Sequence, residues 1–102
     1  MTLTQIIDLI NSVVPTTYRA WPEGEAPPLP FACVLCTNTT PLPADSGVYY
    51  TYSDVAIELY CAIKDPALEA RLEAALTGIV WHKSEEYIKS ENCYQIVYEI
   101  EV

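Results

Sequence analysis

Cys33-Val-Leu-Cys36 has the spacing of a redox dithiol or of half a metal site. Such pairs react when they sit at a helix N-terminus, where the helix dipole lowers the thiol pKa. Here the pair lies within Phe31 to Asn38, a nearly unbroken apolar run that reads as a strand covered on both faces. Side chains alternate faces along a strand, so Cys33 and Cys36 are expected on opposite sides, unable to close a disulfide or to share an ion. Cys61 and Cys93 stand alone, with no second pair at zinc spacing. All four thiols read as reduced packing residues, and a redox factor built on Cys33 and Cys36 is the enzymatic alternative.

His82 is the single histidine, between Trp81 and Lys83. No Ser, Cys or Asp arrangement accompanies it, so a surface or packing role is preferred over that of general base. Glu58, Glu99 and Glu101 fall on the polar positions of two strands that, if adjacent, would bring carboxylates together. A solvated strand face has the same pattern, and nothing around these residues suggests an acid held neutral or a bound metal. Three glycines, at positions 24, 47 and 78, leave no glycine-rich phosphate loop. No catalytic residue, cofactor site or metal ligand is assigned, and the chain is not expected to be an enzyme.

Eight tyrosines raise the question of a stacking platform for single-stranded nucleic acid. Such platforms carry Arg and Lys beside the rings, and here almost none lie near. Tyr49, Tyr50, Tyr52 and Tyr60, with Pro43 and Asp45 from the adjoining segment, fit a protein interface better, because tyrosine offers large contact area at low entropic cost.

The elements that must position these residues follow from periodicity. Leu3, Ile6, Ile7, Ile10, Val13 and Val14 recur at helical spacing, Thr2 and Gln5 form a capping-box pattern, and Pro15 stops the helix. An extended piece from Thr16 to Trp21 precedes a segment with four prolines between Pro22 and Pro30, which is expected as a surface loop. After the cysteine strand, Thr39 to Gly47 reads as a second long loop. Val55, Ile57, Leu59, Cys61 and Ile63 then alternate with polar or small residues, the clearest strand in the chain, and Tyr49 to Tyr52 prolong it. Asp65-Pro66 is a helix start, Leu68, Leu72, Ala75, Leu76 and Ile79 form its apolar stripe, and Glu69, Arg71 and Glu73 are assigned to water. Gly78 is the expected terminator. Ile79 to Lys83 reads as a short strand, Ser84 to Asn92 as a polar connection, and Cys93 to Val102 as an alternating final strand. The sum is one α+β domain over residues 1–102, a single mixed or antiparallel sheet with two helices on one face, in the order α-β-β-β-α-β-β.

Composition bounds the partners. With 51% hydrophobic and 19% charged residues in a chain of 102, the sequence is expected to fold. Fourteen acidic against five basic residues give net charge −9, which disfavours an electrostatic grip on nucleic acid or on an anionic membrane. No apolar run is long enough to span a bilayer, and Met-Thr-Leu-Thr-Gln carries no basic stretch of a leader, so a protein made and kept in the cytosol is expected.

Several stretches together resemble a known family. They are the short opening helix Leu3 to Asn11, Pro-Pro-Leu-Pro-Phe at 27 to 31 leading into an apolar strand, and Ile57-Glu-Leu-Tyr60 followed by Lys64-Asp-Pro-Ala-Leu-Glu-Ala-Arg-Leu-Glu73. Trp81-His-Lys-Ser-Glu-Glu-Tyr-Ile-Lys-Ser-Glu91 and Tyr94-Gln-Ile-Val-Tyr-Glu-Ile-Glu101 complete the pattern. The chain resembles the tail terminator proteins of long-tailed bacteriophages and prophages, the tail-completion and tail-to-head joining group. The resemblance covers nearly the whole chain and consists of sheet and helix patterns, with no catalytic signature. It implies a virion structural protein of the neck, with six copies in a ring that caps the tail tube and docks the head–tail connector. DNA would pass through without specific binding, past lumen carboxylates for which Glu58, Glu99 and Glu101 are the candidates. A head-closure or adaptor subunit of the same neck, or a non-viral cytosolic interaction module, are the alternative readings.

Overall fold

The opening helix forms as its cap dictates. In the computed structural model, which describes residues 1–43, 47 and 49–102, α1 (Leu3–Asn11) starts at Thr2 with the expected capping box. The Gln5 amide donates to Thr2 Oγ1 at 3.2 Å and the Thr2 amide to Gln5 Oε1 at 2.8 Å. Ile6 and Ile10 are fully buried on its inner face. The helix ends at Ser12, earlier than apolar spacing through Val14 predicts, because the residue before Pro15 is disfavoured in the helical region. Val14 still reaches the core from the turn that follows. The second helix, α2 (Pro66–Ala75), starts on Asp65, whose carboxylate accepts from the Leu68 amide at 3.1 Å. Its apolar stripe of Leu68 and Leu72 continues to Leu76 at the cap, and Gly78, at φ +86°, turns the chain beyond it.

Five strands form one mixed sheet: β1 (Thr16–Tyr18), β2 (Phe31–Pro43), β3 (Tyr49–Cys61), β4 (His82–Ile88) and β5 (Cys93–Glu101), in the spatial order β1-β2-β3-β5-β4. Among the described residues, β1 and β2 pair in parallel and the other neighbours are antiparallel. The α+β class and the order α-β-β-β-α-β-β are those read from the sequence. Both helices cover one face. There Val34, Ile57, Leu59, Ile96, Tyr98 and Ile100 meet Ile6, Ile10, Leu68 and Leu72 in one continuous core. Burying each such side chain contributes roughly 1.5–3 kcal/mol, so truncating Ile57 or Leu72 to Ala would cost about 2–5 kcal/mol.

Three expectations are corrected. Thr39 to Pro43 is strand, not loop: β2 continues through a bulge between Cys36 and Asn38 and pairs with Tyr49–Ser53. The bulge absorbs one residue, so the face alternation shifts and the apolar periodicity of the first half does not carry into the second. The strand after α2 is His82–Ile88, not Ile79 to Lys83. It is the sheet's edge and almost entirely exposed, and its helix-side positions are Lys83, Glu85 and Tyr87, so it shows no apolar alternation. Finally, Ile63 lies beyond the end of β3 and is 79% exposed.

The two strand pairs at the middle are unequal in length. β5 accompanies β3 only from Cys61 to Asp54, with Ser53 and Val102 exchanging the last two backbone hydrogen bonds. Beyond that point β2 and β3 continue as a two-stranded arm about 20 Å long. The arm accounts for the elongated shape, 51 × 29 × 23 Å, with a radius of gyration of 15.0 Å against about 13 Å for a compact chain of this length.

Candidate functional site

Among the described residues, no helix covers the second face of the sheet. Register places Phe31, Cys33 and Leu35 of β2, Asp54, Ala56, Glu58 and Tyr60 of β3, Gln95, Val97, Glu99 and Glu101 of β5, and His82, Ser84 and Glu86 of β4 on this side, with the single histidine exposed opposite Glu99. Its two halves differ in chemistry. Over β5 and the upper part of β3, Asp54 lies opposite Glu101 and Ala56 opposite Glu99, while Glu58 pairs with Val97. The three carboxylates singled out in the sequence therefore share one face. No strand position on that face carries Lys or Arg.

Over β2 the face is apolar. A parallel β1–β2 pair needs a crossover, and the proline-bearing segment between them crosses on the open side, laying Trp21 edge-on against Phe31 with centroids 5.9 Å apart. Phe31 in turn meets Tyr60 at 5.5 Å. Trp21 thus covers Cys33, whose thiol is pushed up by burial and by the nearby Glu58 carboxylate. The reading of β2 as covered on both faces holds at Cys33 and weakens at Leu35, which is only half-buried. Beside these rings runs a polar ladder: Gln95 Nε2 donates to the Tyr60 hydroxyl at 3.0 Å, and that hydroxyl donates to Glu58 Oε1 at 3.0 Å. Burial, with Glu58 alongside, pushes the Tyr60 phenol up to about 12, so the hydroxyl remains a donor across the physiological range.

The cysteines are arranged as the strand argument requires. Cys33 is on the open face, whereas Cys36 pairs with Val55 and turns to the helix side, where its sulfur lies 3.4 Å from Thr39 Oγ1. All four thiols are free. Among the described residues, no group of three His, Cys, Asp or Glu side chains is placed to hold a metal ion, and no helix is long and apolar enough to cross a membrane. Of the tyrosine set, Tyr52 and Tyr60 are half-buried on the open side. Asp45 and the side chains of Pro43, Tyr49 and Tyr50 lie outside the described residues.

Sequence reasoning missed a charge cluster on the helix side. Glu69, assigned to water, is only 3% exposed. Lys83 Nζ donates to its Oε1 at 3.1 Å, and Lys64 Nζ lies 2.7 Å from its Oε2, an ion contact off the hydrogen-bond direction. Lys64 also pairs with Glu85, and Lys83 with Glu73 at 2.9 Å. The signal was present in the spacing: Glu69 and Glu73 are four apart on one helix flank, and Lys83 and Glu85 are two apart on one strand face. These pairs staple α2 to the edge strand, and they lie on the opposite side of the sheet from the acidic face.

No protein-family model matches the sequence, and no curated protein matches it. Among solved structures the chain is similar to a chain of the virion of native gene transfer agent (GTA) particle, at 17% sequence identity and a TM-score of 0.53, over 95% of this chain and 83% of that one. At that identity the likeness establishes a shared fold.

Proposed function

We propose that the chain is a structural subunit of a phage-like virion, positioned in the neck, where six copies form a ring that caps the tail tube and joins it to the head-side connector. The observation that carries this reading is the fold likeness to a chain of a gene transfer agent virion along 95% of the present chain. Three features of the chain support it: a sheet face without helix cover, a free seven-residue edge at β4, and an arm projecting beyond the domain. Each offers a surface for contact with copies or neighbours. The carboxylates of Glu99 and Glu101, exposed on a face whose strand positions carry no Lys or Arg and with His82 opposite Glu99, suit the wall of a channel through which DNA slides, since they repel phosphates.

Electron microscopy of the purified protein, alone and mixed with tubes polymerised from the tail-tube protein of the same genome, tests the assignment. Six-fold rings and capped tube ends are expected. A persistent monomer that leaves tubes uncapped overturns the reading, and rings that bind the head-side connector but ignore tubes replace capping with head closure.

A further inference from the structure

The arm and the apolar half of the open face are two incomplete surfaces on one molecule. A two-stranded ribbon is at best marginally stable in water, and this one extends through Asn38–Leu42 and Thr51–Ser53 with no third strand beside it among the described residues. Because of the bulge, Thr40, Leu42 and Tyr52 lie on the same side of the ribbon as Asp54, and Leu42 is 49% exposed there. The strip over β2, formed by Trp21 of the crossover, Phe31 and Leu35 with Tyr60 beside it, is half-buried, and among the described residues no helix or strand lies over it.

Charge selects what can cover that strip. It is bordered by Glu58 and Asp54 and by the carboxylates of β5, with no Lys or Arg at a strand position of the face and His82 only at its far edge, opposite Glu99. Two copies pairing their open faces squarely would oppose these carboxylates at close range, which is unfavourable. The chain carries net charge −9, but residues 37–43 and 49–53 contain no ionisable side chain apart from tyrosine. The two strands of the arm therefore bring no charge to another copy's face, Asp45 in the sequence between them being the one carboxylate of the segment, and they present Leu42 and Tyr52 on one side. We infer that the arm of one copy packs onto the Trp21–Phe31–Leu35 strip of a second copy. Sheet-on-sheet contact at about 10 Å spacing suits both surfaces, and the carboxylates over β5 remain uncovered.

This inference deepens the neck-subunit reading by naming a joint between subunits. Its test needs only this chain. Leu42→Asp places a charge on the arm, and Leu35→Asp places one on the strip; both positions are partly exposed, and circular dichroism checks that each variant folds. In analytical ultracentrifugation the wild type is expected to self-associate, and each variant alone to do so at least about ten-fold more weakly. Mixed in equal amounts, the variants should recover a two-chain complex, because one supplies an intact arm and the other an intact strip. A photo-crosslinker at position 42 in the otherwise unaltered chain should join to residues 21, 31 or 35 of a second copy, which keeps the test open if Leu35→Asp fails to fold. Wild-type association unaffected by Leu42→Asp, or crosslinks to the β4 edge instead, would overturn the inference. So would a wild type that stays monomeric up to roughly 100 μM. A monomer that still caps tubes would remove the arm contact and leave the neck reading standing, whereas arm-dependent association with no affinity for tubes would do the reverse.

Discussion

The Tyr98 hydroxyl donates a 2.7 Å hydrogen bond to Glu73 Oε2, tying the fully buried centre of β5 to the outer turn of α2. The same carboxylate oxygen receives Lys83 from the edge strand at 2.9 Å. A buried phenol must satisfy its O–H, and here it does so on a carboxylate that sits half-buried at the rim of the core. Trp81 packs edge-on against the Tyr98 ring at 5.4 Å and seals the site from the side of the α2–β4 connection. The helix layer is thereby fixed to the sheet at its far edge, away from α1, by directional bonds as well as by apolar burial.

Tyr98→Phe should lower stability by about 1–2 kcal/mol, the range for a hydrogen bond to a charged acceptor that keeps a second partner. Urea unfolding should show a reduced midpoint with an unchanged slope. An unaltered midpoint would mean that water replaces the phenol at Glu73 without cost.

Glu69 is buried between two lysines that are themselves more than a third exposed at their side chains. Removing the anion and removing the cations are therefore unequal operations. Glu69→Leu leaves Lys64 with Glu85 and Lys83 with Glu73, both hydrated, and should change stability by less than about 1 kcal/mol. Replacing both lysines by Met strands a buried carboxylate and should cost about 3–5 kcal/mol. Chemical denaturation of the two variants under identical conditions measures the asymmetry.

The same cluster sets a pH dependence whose sign follows from its partners. The Lys83 ammonium, then the Tyr98 hydroxyl, holds the Glu73 carboxyl below the ordinary carboxylate range. Its contribution is present above the unfolded value near 4.3 and is lost as pH falls through the lower folded value. Lys83 and Lys64 are held above the ordinary ammonium range by Glu73, Glu69 and Glu85, so their contribution is intact below about 10.4 and is lost only as pH rises beyond it. The fall in urea midpoint between about pH 5 and pH 3 should be smaller in Glu73→Gln than in wild type. An identical fall would place the acid sensitivity elsewhere.

Helix starts, the core strand and the final strand were legible because each is written in purely local terms. Thr2 with Gln5 and Asp65 with Pro66 specify their caps within four residues, and Val55 to Cys61 alternate without interruption. The arm was not, since Pro41 and Pro43 read as loop residues and only pairing with the tyrosine-rich half of β3 makes them strand. A two-stranded edge tolerates proline where an amide points outward. The edge strand was misplaced for a related reason: Lys83 and Glu85 occupy positions where an interior strand would have apolar side chains, and their partners arrive from α2 and from Lys64. Of the candidate site, the polar alternation of Glu58, Glu99 and Glu101 was legible, while the adjacency of β3 and β5 that brings them onto neighbouring strands was not. The placement of Trp21 over Cys33 depended on the crossover of a parallel pair, which no local pattern announces.

Trp21 illustrates a different balance. Its indole Nε1 is buried without a partner among the described residues, a deficit of about 1–3 kcal/mol that the ring's packing on Phe31 offsets. Trp21→Phe removes the orphan donor and keeps most of the ring, so stability should stay within about 1 kcal/mol of wild type, while Trp21→Ala should cost about 2 kcal/mol or more. A loss in the Phe variant as large as in the Ala variant would show that Nε1 has an acceptor in solution.

The four thiols should separate by reactivity in a pattern that tests the two-faced geometry of Cys33 and Cys36. The Thr39 hydroxyl, with Ser53 behind it, holds the Cys36 thiol below its ordinary value, and this residue is only half-buried. Burial pushes Cys33 and Cys93 up and Cys61 up to about 11, so their thiolate populations near neutral pH are small and shielded. Ellman's reagent at about pH 7.5 should therefore modify one thiol of the folded chain rapidly and the other three only after urea is added. Cys36→Ser should abolish the fast phase and Cys33→Ser should leave it unchanged. Simultaneous fast loss of two thiols, or formation of a Cys33–Cys36 disulfide under mild oxidation, would contradict the opposite orientation of the two sulfurs and revive a dithiol chemistry for this strand.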